Sequence, residues 1–247
     1  MDREYAEGYR DLYQRHWWWR AREDVLLATL RELQPPAGWS SILDVGCGDG
    51  LLFDQLAQFT PFFEGVESDP ALVRAENPWR QRIHVRPFDE SFEPGRRYGL
   101  VLMLDVLEHL ASPAPALRHA LSLLELGGRI VITVPAFPSL WTSHDEFNQH
   151  VTRFTRRSFD DLASAASMHI DASRYFFHWT YPGKMVQRMK ERLTSTPPGR
   201  ARVPPGWLNA SLLTLCRVEH RVFGRVQMPF GSSLLVIGGR PADTRSS

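Results

Sequence analysis

The sequence is poor in cysteine, in long apolar runs and in net charge. Its 247 residues include only two cysteines, Cys47 and Cys216, too few for a disulfide framework, so we expect a cytoplasmic protein in a reducing compartment. The first residues are polar and charged, unlike a secretory signal, and no uncharged run reaches the ~18 residues of a membrane span. The 29 basic and 28 acidic side chains nearly cancel, which argues against duplex nucleic acid as a partner.

What the chain does contain is an alternation of apolar strands and helical patterns. The first thirty residues predict an amphipathic helix, which ends at the prolines after position 34. The pattern then predicts strands at 41–45, 62–67, 83–86, 98–104 and 129–134, with helices at 51–59, from Asp69, and at 113–124. This order is typical of βαβ units and a parallel sheet. A polar loop at 136–151, a helix from Thr155 or Ser158, a sixth strand at 170–177 and a last strand at 233–237 follow.

The motif LDVGCGDG at 43–50 lies between the first strand and the next helix. Glycines allow a tight turn and let a ligand approach the backbone, and a helix N-terminus offers free N–H groups. Glu67 ends the second strand, where an acid in nucleotide-binding βαβ units accepts hydrogen bonds from ribose hydroxyls. An ordinary glycine-rich turn is the simpler alternative, and the paired acid argues against it.

The glycine spacing distinguishes between two candidate cofactors, NAD and S-adenosylmethionine. Dinucleotide-binding loops have the spacing G-x-G-x-x-G, whereas this loop has G-x-G-x-G and Asp44 two residues before it. A carboxylate there would repel a pyrophosphate but suits the ammonium and sulfonium groups of S-adenosylmethionine. We therefore expect S-adenosylmethionine, and an NAD-dependent oxidoreductase is the weaker alternative.

Four segments within residues 41–134 resemble the class I S-adenosylmethionine-dependent methyltransferases: ILDVGCGDG, GVESDP, YGLVLMLDVLEHL and LELGGRIVITVP. The resemblance implies a Rossmann-like α/β fold, with a mostly parallel seven-stranded sheet and helices on both faces. It places Asp44 near the cofactor's ammonium group, Glu67 on the ribose and Asp89 on the adenine amino group. The implied cofactor-binding residues are Asp44, Gly46, Cys47, Gly48, Gly50, Glu67, Ser68, Asp89, Leu104 and Asp105.

Three further segments are similar to a bacterial small-molecule methyltransferase subgroup: HWWWRAR at 16–22, HDEFNQHVTRFTRRSF at 144–159 and PFGSSLLV at 229–236. Aromatic faces attract a sulfonium cation, and arginine can clamp a carboxylate with two hydrogen bonds. We therefore expect Trp18 and Arg22 to contact the cofactor. For at least one of the three consecutive tryptophans, anchoring of the N-terminal helix to the sheet is the favoured alternative.

The loop after the fifth strand carries the expected catalytic residues, His144, Asp145 and His150. It lies beyond the C-terminal edge of the sheet, where ligands bind in open α/β folds. Because methyl transfer from a sulfonium is a direct displacement, the protein must align the acceptor and remove its proton. His144 or His150 is the candidate base, which suits a hydroxyl acceptor. Hydrogen bonding within the loop is the alternative role for each histidine.

A metal-assisted reaction is an alternative. Asp105, Glu108 and His109 fall on one turn after the fourth strand, and His150 lies on the facing loop. The turn resembles metal sites of small-RNA 3′-end methyltransferases and of some ubiquinone-pathway O-methyltransferases. Such ligands suit Mg²⁺, Mn²⁺ or Zn²⁺. LEHL segments are widespread in class I methyltransferases that have no metal. We therefore favour a site without a metal, and a site with a divalent ion is the alternative.

One domain over 1–247 is predicted, with an N-terminal helical lid at 1–38, a cofactor-binding core at 41–177 and 233–240, and a helical cap or insertion at 178–230. The insertion has a basic amphipathic helix, and a lipid or a lipid-linked substrate could contact it through 184–193. The other interpretation is that its helices pack on each other or on a second subunit. The sequence therefore leaves the oligomeric state undecided between a monomer and a dimer.

These patterns together predict a methyltransferase that transfers a methyl group from S-adenosylmethionine to a small-molecule acceptor, with hydroxyl oxygen favoured over nitrogen or carboxylate. No nucleic-acid partner is expected. A noncatalytic protein that binds S-adenosylmethionine is the alternative from another class, and it leaves His144, Asp145 and His150 without a role.

Overall fold

All seven predicted strands join one sheet in the computed structural model, which describes residues 3–194, 202–224 and 226–241. The strands are β1 (Ile42–Val45), β2 (Phe63–Glu67), β3 (Ile83–Val85), β4 (Tyr98–Leu104), β5 (Leu124–Pro135), β6 (His169–Phe176) and β7 (Ser233–Gly239). Their spatial order is β3-β2-β1-β4-β5-β7-β6. Strands β1 to β5 are parallel, and β7 is antiparallel to β5 and β6. The predicted mostly parallel seven-stranded sheet is confirmed.

Helices cover both faces of this sheet. They are α1 (Arg3–Arg15), α2 (Trp17–Leu33), α3 (Phe53–Leu56), α4 (Pro113–Ser122), α5 (Ser143–Phe147), α6 (Arg156–Ala165), α7 (Thr180–Leu193) and α8 (Gly206–Phe223). Val101 and Met103 of β4 belong to the core that includes α4 and α6. Leu100 and Leu102, on the opposite face, belong to the core that includes α2 and α8. Burial on both faces explains the nearly continuous apolar character of β4.

The single N-terminal helix predicted from the sequence is two helices, α1 and α2. At the break, His16 has an extended backbone (φ −76°, ψ 132°) and its side chain caps α2. Burial lowers the pKa of His16 to about 4, so the ring is neutral and its Nδ1 accepts a hydrogen bond from the Trp18 amide at 3.1 Å. Helical periodicity alone did not reveal this break, because the apolar pattern continues through it.

Two predicted helices are shorter than expected. The helix after the glycine loop is the four-residue α3, and the helix expected from Asp69 is a single 3₁₀ turn, Pro70–Leu72. The chain beyond that turn is bound to the glycine loop. Asn77 donates to the Asp49 carbonyl at 2.7 Å, and Arg74 Nε donates to the Asp49 carboxylate at 2.8 Å. These long-range bonds hold residues 74–77 in an irregular conformation.

Strand β5 and the segment after it also differ from prediction. Strand β5 begins at Leu124, five residues earlier than expected, and its register on β4 shifts between Tyr98 and Leu100. The Gly127-Gly128 turn therefore lies within the strand. The segment predicted as a polar loop at 136–151 contains the short helix α5.

The predicted helices of the insertion are confirmed as α7 and α8. Trp17 donates its amide hydrogen to Asn209 Oδ1 at 2.9 Å, and Arg217 pairs with Asp24 at 2.7 Å, so α8 is bound to α2. The proline-rich break between the two helices lies largely outside the described residues. None of the described helices has the length and apolar character needed to cross a membrane.

Since α2 is part of the core and not only a cover, truncating its apolar face should destabilise the whole domain. Leu30 is 0% exposed, so we expect Leu30→Ala to lower the free energy of unfolding by about 2–5 kcal/mol. Urea denaturation measures this change. Leu126→Ala is the matched control, because Leu126 is 88% exposed and its truncation should cost less than about 0.5 kcal/mol. Equal losses in the two variants would contradict the packing of α2.

Candidate functional site

The glycine loop lies at the C-terminal end of β1 and requires glycine at its first position. Gly46 has a φ of +73°, and a Cβ there would lie 2.7 Å from Val106 Cγ2. Gly48 and Gly50 also have positive φ angles, of +54° and +64°. A side chain at Gly46 would collide with the turn after β4, so the loop can pass close to that turn only with glycine.

Glu67, at the end of β2, is tied to the glycine loop. Its Oε2 accepts a hydrogen bond from the Gly48 amide at 3.0 Å, and its Oε1 accepts one from the Asp69 amide at 2.8 Å. The carboxylate is buried. It therefore fixes the spacing between the ends of β1 and β2 as well as presenting an acid there. Ser68, the next residue, is exposed.

Asp44 is a buried carboxyl beside this loop. Burial, and to a smaller extent the neighbouring charge of Glu67, raise its pKa to about 7. Among residues 3–194, 202–224 and 226–241, none donates a hydrogen bond to its carboxyl group. Asp44 therefore lacks the cationic or hydrogen-bonding partner that a buried carboxylate requires, and the ammonium group of a ligand would supply one.

The other residues of the loop have structural contacts. The Cys47 side chain points into the core, where a Cβ on Gly65 would lie 2.5 Å from its Sγ. Burial raises the pKa of this thiol far above its usual range. Asp49 receives Arg10 Nη2 of α1 at 2.8 Å, in addition to Arg74. Because the Cys47 side chain is buried in the core, only the backbone of Cys47 remains for contact with a ligand.

Arg22 of α2 reaches the C-terminal ends of β4 and β5. Its guanidinium pairs with Asp105, which has a φ of +56°, and donates to Thr133 Oγ1 at 2.5 Å. It also lies 5.1 Å from the centre of the Trp18 ring and 6.0 Å from that of Phe176. The structure thus brings the predicted residues Trp18, Arg22 and Asp105 together, with Thr133 as an additional member.

The neighbouring tryptophan has an anchoring role. Trp17 packs on Trp179 with ring centres 5.4 Å apart, and its amide is bound to α8. Trp18 also contacts Phe177, at 6.0 Å between ring centres. Trp17 thus anchors α2 to Trp179 and to α8. Trp18 lies between the core and Arg22.

Asp89 lies apart from these groups. It is exposed, and its Oδ1 accepts hydrogen bonds from the Ser91 amide at 2.9 Å and the Ser91 hydroxyl at 2.5 Å. These bonds lower the pKa of the Asp89 carboxyl. A contact with adenine stays a prediction for this residue.

The segment between β5 and α6, residues 136–155, is called the acceptor loop below because the sequence predicts the catalytic residues there. It is organised around Asp145, which is fully buried. Its carboxylate accepts two hydrogen bonds from Arg153, at 2.7 and 3.0 Å, and one from the Thr142 amide at 2.9 Å. His150 Nδ1 lies 2.8 Å from the same carboxylate. Burial alone would raise the pKa of Asp145, but the hydrogen bonds from His150 and Arg153 outweigh it and hold the pKa below its usual range.

The two candidate bases have different surroundings. Because a carboxylate only accepts hydrogen bonds, the proton of neutral His150 lies on Nδ1, and Nε2 carries the free lone pair. His144 Nε2 instead accepts a hydrogen bond from the side-chain Nδ2 of Asn148 at 3.0 Å. Burial, followed by the charge of Lys184, lowers the pKa of His144 to about 4. The geometry therefore favours His150 over His144 as a base.

The residues of the metal alternative are partly brought together. Ligand atoms of Glu108, His109 and His150 lie within 4.8 Å of one another, and the His109 and His150 rings meet edge to face at 4.9 Å. Glu108 is fully buried, and in the described part of the chain neither of its carboxylate oxygens has a hydrogen-bond partner. Burial and the charge of Asp105 raise its pKa well above normal. Asp105 itself pairs with Arg22 instead of completing this cluster.

The sequence leaves the position of Lys184 open, because it lies in the segment 178–230 predicted as a helical cap or insertion and in the stretch 184–193 offered as a lipid-contacting surface. Lys184 is half-buried, and burial together with the charge of Arg153 lowers its pKa to about 8. Asp105 and Arg22 also act on it, so it lies near the ends of β4 and α5. The spacing of Lys184, Arg188 and Glu191 on one helical face was the available signal.

Comparison with known proteins identifies the family. Residues 5–170, well over half of the chain, match the family model described as a methyltransferase domain. A ubiquinone biosynthesis O-methyltransferase of Azorhizobium caulinodans is 31% identical over 109 residues, 42% of this chain and 43% of the relative. A protein of the same description from Coxiella burnetii is 25% identical over 143 residues, 53% of this chain and 61% of the relative. The chain thus spans about half the length of these curated relatives.

Solved structures share the fold at low sequence identity. A putative methyltransferase in complex with the Trm112 methyltransferase activator of Haloferax volcanii has a TM-score of 0.61 at 15% identity, with 97% of each chain covered. A SAM-dependent methyltransferase of Archaeoglobus fulgidus has a TM-score of 0.51 at 15% identity, with 87% of this chain and 93% of that chain covered. From the family match and the shared sheet, the chain belongs to the class I S-adenosylmethionine-dependent methyltransferases.

Proposed function

We propose that the protein methylates a hydroxyl oxygen of a small-molecule acceptor and that His150 removes the hydroxyl proton. The observation that carries this proposal is the pairing of His150 Nδ1 with the buried carboxylate of Asp145 at 2.8 Å. The pairing orients the ring and leaves Nε2 free to accept a proton. The names of the Azorhizobium and Coxiella relatives, both O-methyltransferases, support oxygen as the acceptor atom.

The residues around the glycine loop fit S-adenosylmethionine. The unpaired buried carboxyl of Asp44 suits its ammonium group, and Glu67 lies where ribose hydroxyls are bound in such sheets. We assign Gly46, Gly48 and Gly50 to the methionine part and Trp18 and Arg22 to its edge. When bound, the cofactor supplies a methyl group activated by a sulfonium.

The role of the protein is then to position the acceptor and to move one proton. His150 Nε2 would accept the proton of the acceptor hydroxyl as that oxygen is methylated. The imidazolium formed in this step is stabilised by the buried negative charge of Asp145. Asp145 is therefore a positioning residue in this mechanism, and Arg153 keeps its carboxylate ionised.

Binding of S-adenosylmethionine should depend on pH through Asp44. Because the pKa of Asp44 is raised to about 7, its carboxyl is neutral at lower pH and gives up a proton when an ammonium group binds. We expect the affinity to rise with pH from about 5.5 to 7, by up to about tenfold per pH unit. Calorimetric titration at several pH values measures this dependence.

Asp44→Asn is the matched variant for that titration. It should bind S-adenosylmethionine more weakly and without the pH dependence, and a slope equal to that of the wild type would contradict the assignment. Folding of the variant can be checked independently. Because a raised carboxyl pKa makes the folded state lose stability as pH rises from about 4 to 7, unliganded Asp44→Asn should be more stable than wild type at neutral pH.

Removal of the base should lower turnover while sparing cofactor binding. We expect His150→Ala to reduce methyl transfer by about 100-fold or more, whereas His144→Ala should have a much smaller effect. Transfer from methyl-labelled S-adenosylmethionine to a panel of phenols and catechols measures both. Full activity of His150→Ala would refute the proposed base. Cofactor binding without transfer to any acceptor would favour the noncatalytic alternative.

A metal-assisted O-methyltransferase is the second candidate, and the buried, unpartnered carboxylate of Glu108 favours it. Glu108, His109 and His150 would bind a divalent ion, and Asp145 would orient His150 from behind, as carboxylates do for metal-binding histidines. Bound to Glu108 and two imidazoles, the ion would polarise the acceptor hydroxyl. In this alternative Glu108 is ionised, whereas without a metal its burial and the charge of Asp105 raise its pKa and favour the protonated form.

The two candidates differ in a measurable way that does not need an acceptor. The metal alternative predicts that Mg²⁺, Mn²⁺ or Zn²⁺ raises the thermal unfolding midpoint of chelator-treated protein by several degrees, because an ion that binds only the folded state stabilises it. Glu108→Gln, which keeps the shape of the side chain, should abolish the shift. If no ion shifts the wild-type midpoint and chelated enzyme keeps full activity, the metal-free mechanism stands.

A further inference from the structure

Helix α7 is fixed over the acceptor loop by specific polar contacts. Glu191 accepts hydrogen bonds from the Ser143 amide and the Ser143 hydroxyl, both at 3.0 Å. Arg188 Nη1 donates to the carbonyl oxygens of Pro138, at 3.1 Å, and Ser139. One face of α7 is therefore bound to the start of α5 and to the turn before it.

Lys184 lies on that same face. It precedes Arg188 by four residues and Glu191 by seven, and this spacing brings the three side chains together on a helix. The outward side of α7 carries apolar residues instead, with Val186 69% exposed and Met189 63% exposed. Lys190 is also exposed. Of these two lysines, Lys184 is directed towards the acceptor loop.

The charges that surround Lys184 come from three elements. Arg153, Asp145 and His144 belong to the acceptor loop, whereas Asp105 follows β4 and Arg22 belongs to α2. The two carboxylates are already bound by arginine, Asp105 by Arg22 and Asp145 by Arg153. Within residues 3–194, 202–224 and 226–241, no hydrogen bond or ion pair to the Lys184 ammonium group is found.

The ammonium group of Lys184 is half-buried and has no acceptor among the described residues, so an anionic ligand beside it would gain a charge-assisted hydrogen bond. The neighbouring surface is aromatic. Tyr181, one turn before Lys184 on α7, meets Phe137 edge to face at 5.5 Å between ring centres. Phe137 in turn stacks on Tyr175 at 4.7 Å. The cation and these rings together match an aromatic acid.

We propose that Lys184 binds a carboxylate of the methyl acceptor, so that the substrate class is a hydroxylated aromatic acid. The inference rests on the proposed methyl transfer and specifies its substrate. The carboxylate lies on the Lys184 side, under α7, and the hydroxyl lies towards His150. Lys184 is thus a residue that determines substrate specificity, and Arg22 remains for the carboxylate of the cofactor.

The test uses the full-length protein saturated with S-adenosylhomocysteine, the product form of the cofactor. Benzoate is the anionic probe and benzyl alcohol is its neutral match, and ligand-observed NMR measures the affinity of each. We expect wild type to bind benzoate more tightly than benzyl alcohol. Lys184→Met should weaken benzoate binding by about tenfold or more, since it removes a charge-assisted hydrogen bond.

Two further variants separate charge from structure. Lys184→Arg should keep benzoate binding close to that of wild type, and Lys190→Met, on the exposed side of the same helix, should leave it unchanged. Absence of benzoate binding to wild type, equal binding to Lys184→Met, or a loss that Lys184→Arg does not restore would each overturn the proposal.

The source of the anion is tested by cofactor affinity. Lys184→Met should bind S-adenosylhomocysteine as wild type does, and a parallel loss would mean that Lys184 holds the cofactor's carboxylate instead. Benzoate binding requires no turnover, so this outcome is independent of the assay for the proposed function. If aromatic hydroxy acids bind through Lys184 but are not methylated, the proposed reaction fails while the binding site stands.

Discussion

The acceptor side of the molecule depends on one fully buried carboxylate. Asp145 binds Arg153 through both oxygens, closes the N-terminal turn of α5 through Thr142 and orients the His150 ring. Arg153 also donates to the Ala136 carbonyl at 2.9 Å, just after β5. A buried ion pair costs desolvation energy and gains little net stability, but breaking it leaves an unpaired charge and is severely destabilising. The loop is thus held in one conformation at the edge of the sheet.

The positions of most strands along the chain were predictable because they depend on local apolar character. Strands β1, β4 and β7 are mostly apolar runs that are identifiable without knowledge of the rest of the chain, whereas β6, HIDASRYF, is largely polar. The glycine loop and Glu67 were predictable for a similar reason, since the loop directly follows β1 and Glu67 is the last residue of β2. The helix expected from Asp69 was wrong because Asn77 is bound to Asp49, 28 residues away, and no local pattern contains that information.

The same distinction applies to the candidate site. The sequence places His144, Asp145 and His150 in one loop, but it does not distinguish their roles, which depend on whether Asn148 or Asp145 binds each imidazole. The position of Lys184 depends on how α7 docks, through Glu191 and Arg188, on a distant part of the chain. The helix sequence alone does not separate its basic residues, whereas in the fold Lys184 lies on the face bound to the acceptor loop and Lys190 is exposed.

The break at His16 separates two helices with different attachments. Helix α2 is packed in the core, and α1 is tied to the glycine loop by the ion pair of Arg10 with Asp49, in which Arg10 is one-third exposed. Such partly exposed pairs contribute about 1 kcal/mol or less. Rotation of α1 about His16 would break this pair and also the 2.7 Å hydrogen bond that Tyr13 donates to Glu23 of α2, while Arg22 of α2 would stay in place. The ion pair on the glycine loop and the Arg22 contacts at the ends of β4 and β5 are therefore provided by two separately attached helices.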